Sequence, residues 1–366
     1  MRLTCSQKDL HNALLITNKA VDVNNTLPVL NNVVLKAEGK KLYFTTTNLE
    51  IAITYWIETD IKNEGETTIP SKLLTDYVNY LKDESVDIVA EDGDVVIQTK
   101  DSKTKIKGIP ASEFPSIPNV EKEGGIVVSA KEFRKAISQT VFAAAMNTTR
   151  PILSGVYMNL EKTNLKMVST DSYRLAEKTL KVKSGTGGIS CIIPAKTVLE
   201  FGAILDTFKG DEDVEITVSK NQILLAIGAV RLTSRLIEGQ FPNYEQIIPK
   251  STKTKFNLNT NALILVLKRI NIFAKENNNR VIFRVAKNKV GITTESTQYG
   301  EGQVDMETKV EGEANEVALN SQFALDVLAN IKSDEITLEM GEKTTPVIIR
   351  PKGGSDYTHI IMPLKI

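Results

Sequence analysis

EGQFPNYEQIIP at 238–249 repeats the plan of GIPASEFPSIP at 108–118, and this recurrence decides the fold. Each stretch carries a Phe-Pro pair, with Pro115 and Pro242 lying 127 residues apart. Working outward, TIPSKLLTDYVNYL (68–81) corresponds to IIPAKTVLEFGAIL (192–205), and TLPVLNNVVLKAEGKKLYFTTTN (26–48) to TRPILSGVYMNLEKTNLKMVSTD (149–171). Order and spacing agree in both copies. A third, more diverged copy matches through RVIFRVAKNKVGITTES (280–296) and VALNSQFALDVLANI (317–331), and ends at HIIMPLKI (359–366). Short repeats of about 20–50 residues build solenoids or propellers. A unit this long is a domain in its own right, so the chain divides into three, over 1–122, 123–250 and 251–366.

Composition agrees with three ordinary cores. The 366 residues are 41% apolar and 25% charged, as in globular proteins, and about 120 residues suffice for one core. No apolar run reaches the ~18 residues of a membrane span. MRLTCSQKDLHNALL has no pattern of a signal peptide, so a cytoplasmic location is expected, with Cys5 and Cys191 as reduced thiols.

Each unit opens with a helical pattern: SQKDLHNALLITNKAV, SAKEFRKAISQTVFAAA (129–145) and NTNALILVLKRINIFAKE (259–276) carry apolar residues at helical spacing. Ser6 is a suitable N-cap. Strands such as NVVLKAE and KLYFTTTN follow. A second helix opens beside Pro70 or Pro194, and alternating strands close the unit. The expectation is an α+β fold of three repeated domains, each with two helices packed on antiparallel sheet.

Net charge is zero, yet the first-helix segments hold eight Lys and Arg (Lys8, Lys19, Lys131, Arg134, Lys135, Lys268, Arg269, Lys275) against Asp9, Glu132 and Glu276. The second-helix segments are nearly balanced. A basic helical face on a neutral chain suits weak, sequence-independent phosphate contact or simple solvation; charge alone leaves both open. Catalytic signals are scarce. His11 and His359 stand far apart, and no Walker loop, dinucleotide fingerprint or nucleophile elbow is present. SGTGGIS (184–190) reads as a hairpin loop and STDSYR (169–174) as a strand-end turn capped by Asp171.

Together LPVL (27–30), RPILSGV (150–156), STDSYRLA (169–176), IIPAK (192–196), EGQFPNY (238–244) and MPLK (362–365) resemble the bacterial DNA polymerase III beta subunit family, the replicative sliding clamps. The resemblance spans the whole chain. It implies the DNA clamp fold in a head-to-tail dimeric ring around double-stranded DNA, with no catalytic activity, no cofactor and no metal. It also implies partners: a replicative polymerase subunit, a clamp loader and other clamp-motif proteins. It turns Lys131, Arg134, Lys196, Lys268, Arg269 and Lys275, with Arg150 and Arg280, toward DNA.

The same resemblance implies a pocket for partner peptides. Leu153, Thr170, Ser172, Tyr173, Arg174, Leu175, Pro242 and Ile247 come from the second domain. Asn320, Phe323, Thr344, Pro346, Ile360, Met362, Pro363 and Leu364 come from the third and the tail. Many relatives have Gly-His at Ser172-Tyr173 and a basic residue at Gln246, so the pocket's edge differs here.

Charge alternation points to a dimer seam. Lys103, Lys105 and Lys107 share one face of KTKIKG; Glu301, Asp305 and Glu307 share one face of EGQVDME. Each edge repels its own copy and attracts the other, with Ile106 set against Val304 or Met306 on the opposite face. The resemblance adds Ile272 and Phe273 as an apolar core for this seam. The alternatives are a repeat-built protein scaffold that does not encircle DNA, and an enzyme with its site at a domain junction.

Overall fold

The computed structural model describes all residues except 23, 24, 26, 83, 92, 118, 119, 121–123, 146–148, 186, 187, 296–299 and 366. The parts of the quoted repeats at Thr26, Pro118, Thr186, Gly187, Ser296 and Ile366, and the expected boundary at 122–123, lie outside the described residues.

Six α-helices stand where the periodicity predicts them: α1 Gln7–Thr17, α2 Ser71–Asn79, α3 Ala130–Thr140, α4 Ala195–Leu205, α5 Thr260–Ala274 and α6 Ser321–Ala329. Side chains satisfy the free amides that open three of them. Ser6 Oγ accepts from Asp9 N at 3.4 Å, Asn259 Oδ1 from Ala262 N at 2.9 Å, and Asn320 Oδ1 from both Gln322 N and Phe323 N. Pro70 sits at the cap of α2 rather than inside its first turn.

Two features differ from the sequence expectation. Each repeat opens on a short strand before its first helix: Arg2–Ser6, Ile126–Ser129 and Thr254–Asn259. Four to six residues are too few for alternation to stand out beside a strong helical pattern. Secondly, each repeat is built on two sheets rather than one. In the first repeat, Asp60–Asn63, Arg2–Ser6, Ser85–Glu91, Asp94–Gln98 and Lys103–Lys107 form a five-stranded sheet. Its other strands, Ile51–Glu58, Lys41–Thr47, Asn32–Glu38 and Gly65–Pro70, belong to a nine-stranded one. The core lies between them. Leu3 and Ile88 from one sheet meet Leu35 and Phe44 from the other, with Leu10 and Leu14 of α1 and Leu74 and Val78 of α2.

The chain forms two compact units. One comprises Met1–Lys131, Val182–Gly187 and Glu200–Leu236; the other comprises Glu132–Lys181, Gly188–Leu199 and Ile237–Ile366. The second repeat contributes segments to both. Each unit contains one joint between successive repeats, and the two joints have the same construction. In the first unit, Ile51–Glu58 pairs antiparallel with Val230–Arg235, setting Ile53 opposite Leu232. In the second, Arg174–Lys181 pairs antiparallel with Tyr357–Ile361, setting Ala176 opposite His359. The backbone ladder thus runs from one repeat into the next, giving nine-stranded sheets. Outer edges remain on Lys103–Lys107 in the first unit and on Gln303–Glu307 in the second.

Candidate functional site

The second joint is organised by the turn after strand Asn164–Thr170. Thr170 Oγ1 donates to Arg174 O at 2.6 Å and accepts from Ser172 N at 3.1 Å. Asp171 Oδ1 accepts from Tyr173 N and Arg174 N, the capped turn expected from STDSYR. Ser172 is held at a φ of 79°, which a short polar residue tolerates best. Tyr173 is thereby turned outward and is 64% exposed. Its carbonyl accepts from Met362 N at 2.8 Å, tying the C-terminal tail to the turn.

Below the turn, Leu153, Leu175 and Ile360 belong to one buried cluster with Val168, Phe241 and Tyr244. Tyr157 stacks on Phe241 with ring centroids 5.0 Å apart. Tyr244 donates to Glu177 at 2.7 Å, and burial, followed by this bond, pushes its phenol pKa up. Above this floor opens a cavity of about 280 Å³, lined by Arg150, Pro151, Ile152, Leu153, Gln240 and Pro242. Ile247 stands 44% exposed at the end of the single turn Tyr244–Ile247. The cavity offers apolar walls with an arginine and an amide at the rim, which is the chemistry of a linear peptide with an apolar anchor.

The structure joins Leu153, Leu175 and Ile360 in the cluster, sets Pro242 on the cavity wall, and carries Thr170, Ser172 and Tyr173 on the turn. Arg174 has another role. It is a tie: Nε bonds Asp171, Nη1 bonds Asp326, Nη2 bonds Phe142 O, and the guanidinium lies 4.5 Å from the centre of the Phe323 ring. Asn320 is committed to capping α6. Leu364 N donates to Ala318 O, with Met362 and Pro363 half-buried between. Thr344 is exposed, and Pro346 is buried beside strand Val347–Pro351. Sequence reasoning missed Pro151, Ile152 and Gln240, and gave Arg150 to DNA. RPILSGV marked that segment as a repeat without saying which side chains faced outward.

Among the expected DNA-facing residues, Lys131, Lys196, Lys268, Arg269 and Lys275 are exposed and Arg134 is half-buried. Arg280 is different: it is ion-paired with Glu295 at 2.5 Å. Arg150 donates to Ser172 Oγ at 3.2 Å. Arg280 is thus paired within the chain, while Arg150 stays exposed on the cavity wall.

At the two outer edges, Lys103, Lys105 and Lys107 are exposed, as are Glu301, Asp305 and Glu307. Within the chain, Lys105 reaches Asp94 at 2.5 Å and Asp305 reaches Lys289 at 3.1 Å. Ile106 points into the first repeat's core, while Val304 and Met306 are half-buried against the third repeat's core. Ile272 is 69% exposed on α5. The Phe273 ring lies so close to Gly302 that a Cβ there would come within 3.3 Å of it.

Three family models match almost the whole chain. They are the DNA polymerase III beta subunit N-terminal domain over residues 1–118, its central domain over 127–243 and its C-terminal domain over 245–365. The chain belongs to the DNA polymerase III beta subunit family. It is 29% identical to the beta sliding clamp of Synechocystis, with all of both chains covered, and 27% identical to that of Staphylococcus aureus, with 95% of each covered. The DNA polymerase sliding clamp of Bacillus subtilis is 25% identical and superposes with a TM-score of 0.96, covering 100% of this chain and 99% of that one. The DNA polymerase III beta subunit of Thermotoga maritima is 26% identical, with a TM-score of 0.93 over the same shares.

Cys5 and Cys191 are buried free thiols whose pKa burial pushes up to about 12, far from the reactive thiolate range. Among the described residues, no cluster of His, Cys, Asp and Glu has the makings of a metal site. No described helix is long and apolar enough to cross a membrane.

Proposed function

We propose that this protein is a sliding clamp: two copies close head to tail around duplex DNA and tether a replicative polymerase and other clamp-motif proteins to it. Three domains over 1–122, 123–250 and 251–366 make six per ring. Their basic helices face the phosphates weakly enough to slide. Retention comes from topology rather than affinity. The chain performs no chemistry, needs no cofactor and works in the cytoplasm, and a clamp loader opens it. Partner peptides seat an apolar anchor in the cavity between Leu153 and Pro242, flanked by Tyr173, Ile247 and the Met362–Leu364 tail.

One observation carries the ring: the same strand joint is built twice, and its two halves are left over at the outer edges. Aligning the ladders makes Thr104 the counterpart of Leu232 and Gly302 the counterpart of Ala176. A third joint of the same register, between copies, sets Thr104 opposite Gly302, Lys105 opposite Glu301, and Lys103 opposite Gln303 with Glu301 and Asp305 on the diagonals. Ile106 then meets Gly300 and the Phe273 ring, rather than the Val304 or Met306 that charge alternation alone suggests.

The test is charge reversal followed by sedimentation at micromolar concentration. Lys103, Lys105 and Lys107 to Glu gives monomers. Adding Glu301, Asp305 and Glu307 to Lys in the same chain restores dimers. A triple reversal that leaves the dimer constant unchanged would rule this seam out.

A further inference from the structure

The first joint has a cleft of its own. A cavity of about 120 Å³ opens within the first compact unit, among Leu49, Pro115, Ile117, Gln222, Thr233 and Arg235. Its frame repeats the turn of the second joint, bond for bond. Thr47 Oγ1 donates to Ile51 O at 2.8 Å and accepts from Leu49 N at 3.0 Å, as Thr170 does with Arg174 and Ser172. Asn48 Oδ1 accepts from Glu50 N and Ile51 N, as Asp171 does from Tyr173 and Arg174. Leu49 is held at a φ of 74°, where Ser172 stands at 79°. Arg235 N donates to Glu50 O at 3.0 Å, where Met362 N donates to Tyr173 O.

The side chains on this frame set a different preference. Leu49 is a branched apolar residue at positive φ, an unfavourable backbone for its type, and it is 47% exposed at the mouth. Pro115 and Ile117 are half-buried across from it. Arg235 stands exposed where the other joint has Met362, and no ion pair of its guanidinium is found among the described residues. Ile51 and Ala52 are buried beneath. The result is a small slot with an apolar wall of Leu49, Pro115 and Ile117, polar groups of Gln222 and Thr233 beside it, and one cation at its end.

We propose that this cleft is a second docking site for linear peptides, taking one aliphatic side chain between Leu49 and Ile117 and one carboxylate on Arg235. The carboxylate follows from charge complementarity: a guanidinium at a slot's rim selects an acid beside the anchor. Exposed Glu50 on the same rim disfavours a second acid. The proposal rests on the reading of the cavity near Leu153 as a peptide pocket only for its analogy; its own residues lie elsewhere, and the experiment separates the two.

The probe is the acetylated peptide Gly-Ser-Leu-Asp-Ser-Gly-amide with photo-leucine at its third position, cross-linked to the full-length protein and mapped by mass spectrometry. Adducts are expected within 47–52, 115–117 or 233–235. Arg235→Glu lowers their yield at least fivefold, and Ser116→Trp, filling the slot from an exposed position, does the same. Adducts at 150–153 or 240–242 are unaffected by either change. A peptide with Lys in place of Asp labels the first joint at least fivefold less. Labelling confined to 150–153 and 240–242, no labelling at all, or first-joint labelling indifferent to Arg235→Glu would overturn the proposal. Absence of adducts at 150–153 and 240–242 alone would count against the partner cavity and leave this cleft standing.

Discussion

At the residue scale, the buried ionisable groups of the second joint are the least expected feature. Lys178 is fully buried and bonded to Asp356. Burial draws the lysine's pKa down. At Asp356 burial pushes the other way, but the bond and charge of Lys178 prevail and hold the carboxylate below its usual range. His359 is wholly buried, its ring 5.5 Å from that of Phe142, and neither nitrogen has a hydrogen-bond partner among the described residues. Burial, reinforced by the charge of Arg174, pulls its pKa down to about 3. Between pH 6.5 and about 3, the unfolded chain therefore takes up a proton that the folded chain refuses. Stability falls as pH falls through this window, by about 1.4 kcal/mol per pH unit from this one group. His359→Leu should flatten the decline by one proton's worth between pH 6.5 and 4.5. Urea midpoints measured across that range check it, and parallel curves for the two proteins would show that His359 is not the group responsible.

At the element scale, the turn 170–174 does two things at once. It presents Tyr173, and it aims Arg174 into a socket of Asp171, Asp326, Phe142 and Phe323 that joins α6 to strand Arg174–Lys181. The Arg174 side chain is 10% exposed and Asp326 28%, so the pair is only partly screened. Arg174→Ala leaves Asp326 and the Phe142 carbonyl short of a partner and should cost about 2–3 kcal/mol. Arg174→Lys should recover little, because one ammonium cannot span three acceptors as a planar fork does. Equilibrium denaturation of both variants tests this; full stability in the lysine variant would mean that the socket needs only charge. The motifs singled out the segments that form the turn and the cavity, but not this division of labour. Motifs report which residues recur, while Arg174's orientation depends on Asp326, 152 residues away.

At the scale of the whole molecule, the proposed grip on DNA is a sum of weak interactions, so its signature is salt dependence. Replacing Lys131, Arg134, Lys196, Lys268 and Arg269 with Ala should lower the slope of log K against log salt by roughly 0.9 for each phosphate that the variant fails to neutralise. Replacing Arg280 with Ala should leave the slope unchanged, since Glu295 already pairs its charge. Fluorescence anisotropy on a short duplex from 50 to 200 mM salt reads both. Equal slopes in all three proteins would place the helical cations away from DNA.

Much of this architecture was written along the chain. The tripled order of Phe-Pro, Pro-helix and strand markers determined the repeat, because each unit must bury its own apolar faces with the same periodicities. The charge alternation of KTKIKG and EGQVDME marked two sheet edges for the same local reason, that side chains alternate along a strand. What only the tertiary structure decided was partnership across distance. It split each repeat's strands between two sheets and joined repeats through Ile53 with Leu232 and Ala176 with His359. It also set Arg150 on the wall of the cavity, tied Arg174 to Asp171 and Asp326, and paired Arg280 with Glu295. A residue's type and spacing set which face it occupies on its own element. Which element comes to lie against that face is set by the packing of segments far apart in the chain.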